Sequence, residues 1–566
     1  MTQLTTPEHA KITSSFPQPL PFIIFLNLSN WFQNVFSQIL SSLVTASLVL
    51  FLARFLNHRR IYKKLPGPPH NFFWGHLKIY GETMALFPPR SHFQAVITTL
   101  AHKYHLPGLF YMDLWPLGPE QLIITDPRLA TQYVTNRKLP KHQLLADYLD
   151  PILGKGNIIT VNGTHWKSIH DLLSPAFSVA RVLDITTLIA DDIMEFHNVI
   201  SEIAVSKTPF RLEEKINALV FDIIFKAIFG VQSRAQTVGS DDLRDLNSVV
   251  NADMTGKQTW DPIRRIQLAK EKALSMKRLN DSIATKVKSR FKFIQQNNVS
   301  IERRQSLSIL DLILQEYVQE ASKVSALVEL SPDIMEMAVP NIKALMLAGS
   351  GTTADTLCFM FMQLSILPKI VEKLREEHRR VYSSDVATTL GMLKSDPKRL
   401  RELKYSTNVI KETLRIYPIG NTGRVPDEPG CITYQGKEYP TKRQMLICPV
   451  QHTWHMDPDV FHDPDTFDPD RFNDMDKDYQ VAWRPFERGN RACLGQTLAM
   501  EEMKMILLLT VQYFDFKCHD LKPNSSPRVS WTKMDTIFGD RAFQEFLTEA
   551  RPRDGMPMMV TKAEFS

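Results

Sequence analysis

Apolar positions along this chain recur mostly at helical spacing. Residues 212–229 are strongly apolar with scattered polar positions, and 339–367 form a second long apolar run behind Ser331-Pro332-Asp333, a helix-start signal. Residues 367–382 carry one charged face, and 404–416 are amphipathic, with Ile410 and Leu414 one turn apart. Strand-like pieces are short: 108–112, 121–125, and 432–439, where Gln435-Gly436 reads as a turn. After about Phe72 no repeat, Gly/Ser linker or composition break divides the chain. The pattern therefore predicts a mainly α (α+β) fold, one large helix-rich domain with small sheets. Over residues 257–304 basic side chains alternate with apolar ones at helical spacing, which predicts a solvated helical face rather than a binding patch.

The N-terminus follows another pattern. Residues 12–53 contain no Asp, Glu, Lys or Arg, and 35–55 (VFSQILSSLVTASLVLFLARF) are long enough to span a bilayer, whose core of ~30 Å needs about 20 helical residues. Arg54, Arg59, Arg60, Lys63 and Lys64 follow at once, with Lys11 on the other side, so the positive-inside rule places the rest of the chain in the cytosol. A cleaved signal peptide would carry its charges ahead of the apolar run, and a core helix would have to bury the basic flank; both alternatives fit less well. Leu65-Pro66-Gly67-Pro68-Pro69 then reads as a stiff extended connector, or as an ordinary surface loop. The expected organisation is a luminal tail and transmembrane anchor over 1–62, a basic, Pro-rich hinge over 63–77, and one domain over 78–566.

Composition narrows the chemistry. With 43% hydrophobic and 23% charged residues in 566, the chain is neither disordered nor short of core. A net charge of +6 is too dilute for a nucleic-acid partner. Cys358, Cys431, Cys448, Cys493 and Cys518 show no C-x-x-C spacing, which favours reduced thiols over a disulfide framework or structural zinc. Cys493 stands apart, between a Gly/Arg loop and a helical stretch from 496 to about 514. Helix N–H groups and a nearby arginine predict an unusually acidic thiol there, with Gly489 allowing a bulky ligand to approach and Gly495 allowing tight packing. The plain alternative is a buried structural cysteine.

The run Phe486-x-x-Gly489-x-Arg491-x-Cys493-x-Gly495 resembles the haem-ligand signature of the cytochrome P-450 family, the haem-thiolate monooxygenases. In such proteins the sulfur pushes electron density onto iron and favours O–O cleavage. The resemblance implies haem b bound with Cys493 as its axial iron ligand, with Phe486 and Gly495 in the same loop. Upstream, Glu412 and Arg415 in Lys411-Glu412-Thr413-Leu414-Arg415, with Arg471 in Pro469-Asp470-Arg471-Phe472, match the family's buried Glu-Arg-Arg network. Ala348-Gly349-Ser350-Gly351-Thr352-Thr353 resembles the oxygen-binding helix segment and makes Thr352 the proton-relay hydroxyl. The family usually has an acid just before that threonine; here Gly351 stands there, and Asp355 is the candidate substitute. Trp166 and His170 match a W-x-x-x-R helix with His in place of Arg, and together with Arg424 and Arg491 they are expected to seat the haem propionates.

The resemblance covers nearly the whole chain and is strongest to fungal microsomal members of secondary metabolism. It implies a single-pass protein of the endoplasmic reticulum membrane with a cytosolic catalytic domain. Such a protein oxidises a hydrophobic small molecule, using NADPH only indirectly, through a separate NADPH-dependent flavoprotein reductase. Arg484, Arg488 and Lys504 are candidates for attracting an acidic reductase face. Leu345, Leu347, Ile419 and Ile537 fall where the family lines its substrate pocket. Gly351 keeps open an isomerase, desaturase or peroxide-using enzyme on the same haem fold, and a non-enzymatic haem or electron-transfer protein is the remaining alternative.

Overall fold

The computed structural model describes residues 20–296, 308–321 and 330–564, so Lys11 and the basic residues Arg303 and Arg304 lie outside the described residues. The chain divides into two compact units, Met1–Lys64 and Leu65–Ser566. In the first, a single helix covers Leu20–Tyr62, and its part Val35–Tyr62 is long and apolar enough to cross a membrane, with its most apolar stretch fully unburied. Leu43 and Leu50 are 60% and 70% exposed, an arrangement that water disfavours and a bilayer accepts.

The second unit is helix-rich. At its centre runs the helix Pro332–Leu364, with Ser331 at its N-cap, Pro332 in the first turn and Asp333 beside the positive end of the helix dipole. It packs against Leu212–Phe229, Lys404–Ile416 and Gln496–Thr510. Leu212–Phe229 places Glu213 and Glu214 in its first turn and stops at Gly230, whose φ of 71° a side chain would resist. The start signal Ser331-Pro332-Asp333 opens the helix as expected; the apolar run from Val339 is its interior, Pro340 sits inside it, and the helix stops at Leu364 rather than Leu367.

The sheets are small. Leu109–Asp113 pairs antiparallel with Glu120–Ile124, which pairs in parallel with Leu446–Pro449. Gly430–Tyr434 and Lys437–Thr441 form a hairpin around Gln435 and Gly436, both at positive φ (48° and 74°), the backbone of a tight two-residue turn. A third sheet joins Phe210–Arg211, Pro557–Lys562 and Phe514–Cys518, and a last hairpin joins Glu545–Phe546 to Ala550–Arg551.

The Pro-rich segment is pinned to the first strand. Tyr111 N donates to Pro66 O (2.8 Å), His76 N to Asp113 O (2.8 Å), and His70 Nε2 lies 2.9 Å from Asp113 Oδ2. A Cβ at Gly67 would meet Tyr111 O at 2.6 Å, so glycine is required for this approach. The basic stretch forms the helix Pro262–Gln296, and its cations meet aspartates of Asp241–Gln258 and Ile309–Ala321: Lys272–Asp253 at 2.6 Å, Lys286–Asp242 at 2.9 Å and Arg290–Asp311 at 2.7 Å.

Candidate active site around Cys493

The loop before the helix Gln496–Thr510 is shaped by its own backbone. Cys493 N donates to Phe486 O (2.9 Å) and Ala492 N to Gly489 O (3.0 Å), closing the loop around a short 3-10 turn, Gly489–Arg491. Gly489 has φ 75°, and a Cβ there would press into Thr135 Cγ2 at 2.7 Å. Its backbone conformation and its contact with Thr135 both require a glycine here. At Gly495 a Cβ would meet Cys493 Sγ at 3.8 Å, an ordinary contact, and the residue lines the cavity.

Cys493 Sγ accepts from the N–H groups of Gly495 and Gln496, the start of the helix, as its position predicted. The expected acidity does not follow in the cofactor-free chain. Burial pushes the thiol up, and outweighs the two amide bonds that pull it down. Arg491 gives no help: its Nη2 donates to Val161 O (2.9 Å) and Asn162 Oδ1 (3.0 Å), and its guanidinium lies 4.0 Å over the Trp166 ring. The sulfur is walled in by protein yet reachable by solvent, because it faces a cavity of about 280 Å³.

That cavity gathers the residues expected at a haem, except Arg424. Cys493, Phe486 and Gly495 form one wall; Ala348, Gly349 and Thr352 of the central helix form another; Trp166, His170 and Arg491 close one rim. Thr352 Oγ1 donates to Ala348 O (2.8 Å), so the helix runs unbroken through this segment. Gly349 backs onto Leu212–Phe229, where a Cβ would strike Ile224 Cγ1 at 2.6 Å: close packing explains this glycine. Asp355 is buried at 4% exposure and is not among the lining residues, and Gly351 faces the C-terminal hairpin. Of the apolar residues expected in a substrate pocket, Leu345 lines the cavity. Leu347 packs in a neighbouring cluster with Leu149 and Ile152, Ile537 is surface-exposed, and Ile419 is buried with its carbonyl bonded to Ala550 N (3.1 Å).

Charge at the rim is one-sided. Lys141, absent from the sequence reading, lines the cavity, and its Nζ donates to Thr422 Oγ1 (3.0 Å). Burial, then Arg424, lowers its ammonium to about 7, with Glu487 opposing and Arg491 adding to the effect. Burial and Arg424 likewise lower Arg491 to about 10. Arg424 donates to Leu139 O (3.3 Å), but its buried Nε has no partner. Glu487 is already paired with Arg484, so among the described residues Lys141, Arg424 and Arg491 have no carboxylate of their own, which fits a ligand that brings its own anions, as the two propionates of haem b do. Glu502 was also missed: it lines the thiol side of the cavity, is 2% exposed, and leaves Oε1 unpartnered. Its signal was a carboxylate on the apolar stripe Leu498, Glu502, Met505; Lys141 had none.

Behind the loop, Glu412 and Arg415 are fully buried and joined by two bonds (2.7 and 2.8 Å), while Arg471 Nε reaches Glu412 Oε1 at 3.0 Å. Asp468 N adds a fourth donor at 2.9 Å, and the remaining guanidinium N–H groups reach carbonyls of His455, His462 and Thr466. The network is tied to the cysteine loop: His455 lies between the carbonyls of Arg415 (2.9 Å) and Ala482 (3.2 Å), and Trp483 Nε1 donates to Lys411 O (2.9 Å). Arg484 and Lys504, expected to face a partner, are 1% and 4% exposed and bonded to Glu487 and to Glu501 and Leu400 O.

The cytochrome P450 family model matches residues 65–534. Over 90% of this chain and 92% of its own length, "Cytochrome P450 monooxygenase polC" of Polytolypa hystricis is 28% identical. "Cytochrome P450 monooxygenase acrF" of Aspergillus aculeatus is 28% identical over 84% of this chain and 99% of its own, and human "Cytochrome P450 4Z1" is 25% identical over 86% and 93%.

Proposed function

From the premise that this chain belongs to the cytochrome P450 family and is a monooxygenase, we propose that it is anchored in the endoplasmic reticulum membrane and oxidises a hydrophobic small molecule of fungal secondary metabolism. Electrons come from a separate NADPH-dependent flavoprotein reductase. The organisation we propose is an anchor over 1–62, a connector over 63–77 and a haem domain over 78–566. The observation that carries the reading is the pairing, in one cavity, of a single thiol at a helix start with a cluster of under-neutralised cations on the rim.

When bound, haem b supplies the iron at which dioxygen is reduced and one oxygen atom is transferred. The chain does the rest. Cys493 would hold the iron, its charge stabilised by the N–H groups of Gly495 and Gln496. Arg424, Arg491, Lys141, Trp166 and His170 would orient the propionates, and Phe486 and Gly495 shape the loop beside the sulfur. Glu412, Arg415 and Arg471 hold that loop from behind, and Thr352 presents a hydroxyl to the opposite wall. Apolar lining residues such as Ile158, Phe177 and Leu345 exclude water and suit an apolar substrate.

The ferrous–carbon monoxide spectrum tests this. Full-length protein is expected to show the long-wavelength band of a thiolate-ligated haem, and Cys493→Ala to lose it while remaining folded. Retention of the band in that variant sinks the assignment.

A further inference from the structure

Inserting one oxygen atom and reducing the other to water consumes two electrons and two protons for each dioxygen. Thr352 faces the cavity, but its hydroxyl already donates to Ala348 O and the residue before it is Gly351, so neither the threonine nor the residue preceding it supplies an exchangeable acid. The space beside Gly351 is nevertheless taken by one. A Cβ built on Gly351 would collide with Glu549 Oε1 and lie 3.3 Å from its Cδ. The glycine is what lets this carboxylate lie against the helix, at the residue preceding Thr352 and on a neighbouring face of the helix.

Glu549 is delivered by the C-terminal hairpin, whose tip is held from several sides. Leu547 N donates to Glu549 O (3.0 Å), Phe546 N to Arg90 O (2.7 Å) and Ala550 N to Ile419 O (3.1 Å), while the Tyr148 hydroxyl donates to Leu547 O. The charged and titratable groups facing Glu549 are Glu213 from the Leu212–Phe229 helix, Asp355 from the central helix, Arg551 from the hairpin and Tyr148 from Gln143–Leu153. Burial pushes the Glu549 carboxyl up to about 7; Glu213 adds to this, while a bond from Thr548 and the Arg551 charge oppose it. A group at that value both holds and releases a proton near neutrality. Asp355, pushed well above the carboxylate range by burial, Glu549 and Glu213, does not line the cavity, and Glu502 lies on its thiol side.

We propose that Glu549, reaching across from the C-terminal hairpin into the space left at Gly351, is the carboxyl group that supplies protons to Thr352. This rests on the monooxygenase reading. In each pass the Glu549 side chain turns from Gly351 toward Thr352, its O–H bond breaks, its proton goes to Thr352 Oγ1, and the threonine's own proton passes to the oxygen atom that leaves as water. The carboxylate then regains a proton from solvent. No electron moves at either residue, and two passes supply the protons the reaction consumes, the reductase supplying the electrons.

The test uses full-length, haem-loaded protein with dioxygen itself as the probe. In resting wild-type protein, infrared difference spectra are expected to show a carboxylic-acid C=O band titrating near pH 7, absent in Glu549→Gln. With reductase and NADPH, Glu549→Gln is expected to slow dioxygen-dependent NADPH consumption about tenfold or more and to lose the inflection near neutrality, with the carbon monoxide band unchanged. Glu549→Ala behaves likewise, and adding Gly351→Glu to it restores the rate by moving the carboxylate onto the helix. Wild-type rates and an unchanged infrared band in Glu549→Gln overturn the proposal, as does a double variant no faster than Glu549→Ala. Failure of the functional reading is distinguishable, as a wild-type protein lacking the thiolate band, and it removes the proposal with it.

Discussion

Lys141 shows how a single side chain reports on a missing counter-charge. In the cofactor-free fold its ammonium is held at about 7, whereas an unperturbed lysine titrates at 10.5. Between those values the unfolded chain binds the extra proton, so the stability of cofactor-free protein is expected to rise as pH climbs through that window. Urea midpoints taken across it should lose this slope in Lys141→Met. Propionates opposite the ammonium restore its usual affinity for a proton, so haem uptake above pH 7 should take up a proton, and haem affinity should fall as pH rises. Glu412 is the reverse case, a buried anion shared by two arginines and a backbone N–H. Glu412→Ala leaves those cations uncompensated and is expected to cost about 3–5 kcal/mol, read as a drop in the denaturation midpoint and loss of haem from the folded fraction.

At the scale of elements, the two central helices meet through a missing side chain. Gly349→Ala drives a methyl into Ile224 and is expected to cost about 1–3 kcal/mol; Ile224→Ala in the same chain should recover most of it, measured by thermal unfolding of the paired variants. Elements governed by their own periodicity were legible before the fold was known. The helix over 212–229, the amphipathic helix over 404–416 and the turn at Gln435-Gly436 each carry their signal within a few adjacent residues. The hairpin that presents Glu549 was not legible. Its strands, Glu545–Phe546 and Ala550–Arg551, are two residues each, too short for any alternation, and its placement depends on Arg90, Tyr148 and Ile419 from distant parts of the chain. At Gly489 only tertiary contact reveals the second reason for a glycine, Thr135 lying where a Cβ would go.

For the whole molecule, the thiol loop, the Glu412 network and the Trp166 rim were visible as spaced motifs; Glu502 showed only as a carboxylate on an apolar stripe, and Lys141 became visible only once the fold buried it at the cavity. Deleting residues 1–62 leaves the Pro66–Tyr111 and His70–Asp113 contacts in place. The truncated chain is therefore expected to keep its carbon monoxide band and to appear in the soluble fraction without detergent, where the full-length chain requires it. The central helix adds a consequence for biosynthesis. Pro332–Leu364 is also long and apolar enough to cross a membrane, yet most of it is buried inside the folded protein. A nascent chain emerging beside a bilayer therefore carries a second segment the lipid would accept, and only timely folding withholds it. Mutations that weaken the packing around this helix thereby endanger topology as well as stability, and a variant that folds too slowly competes with its own membrane.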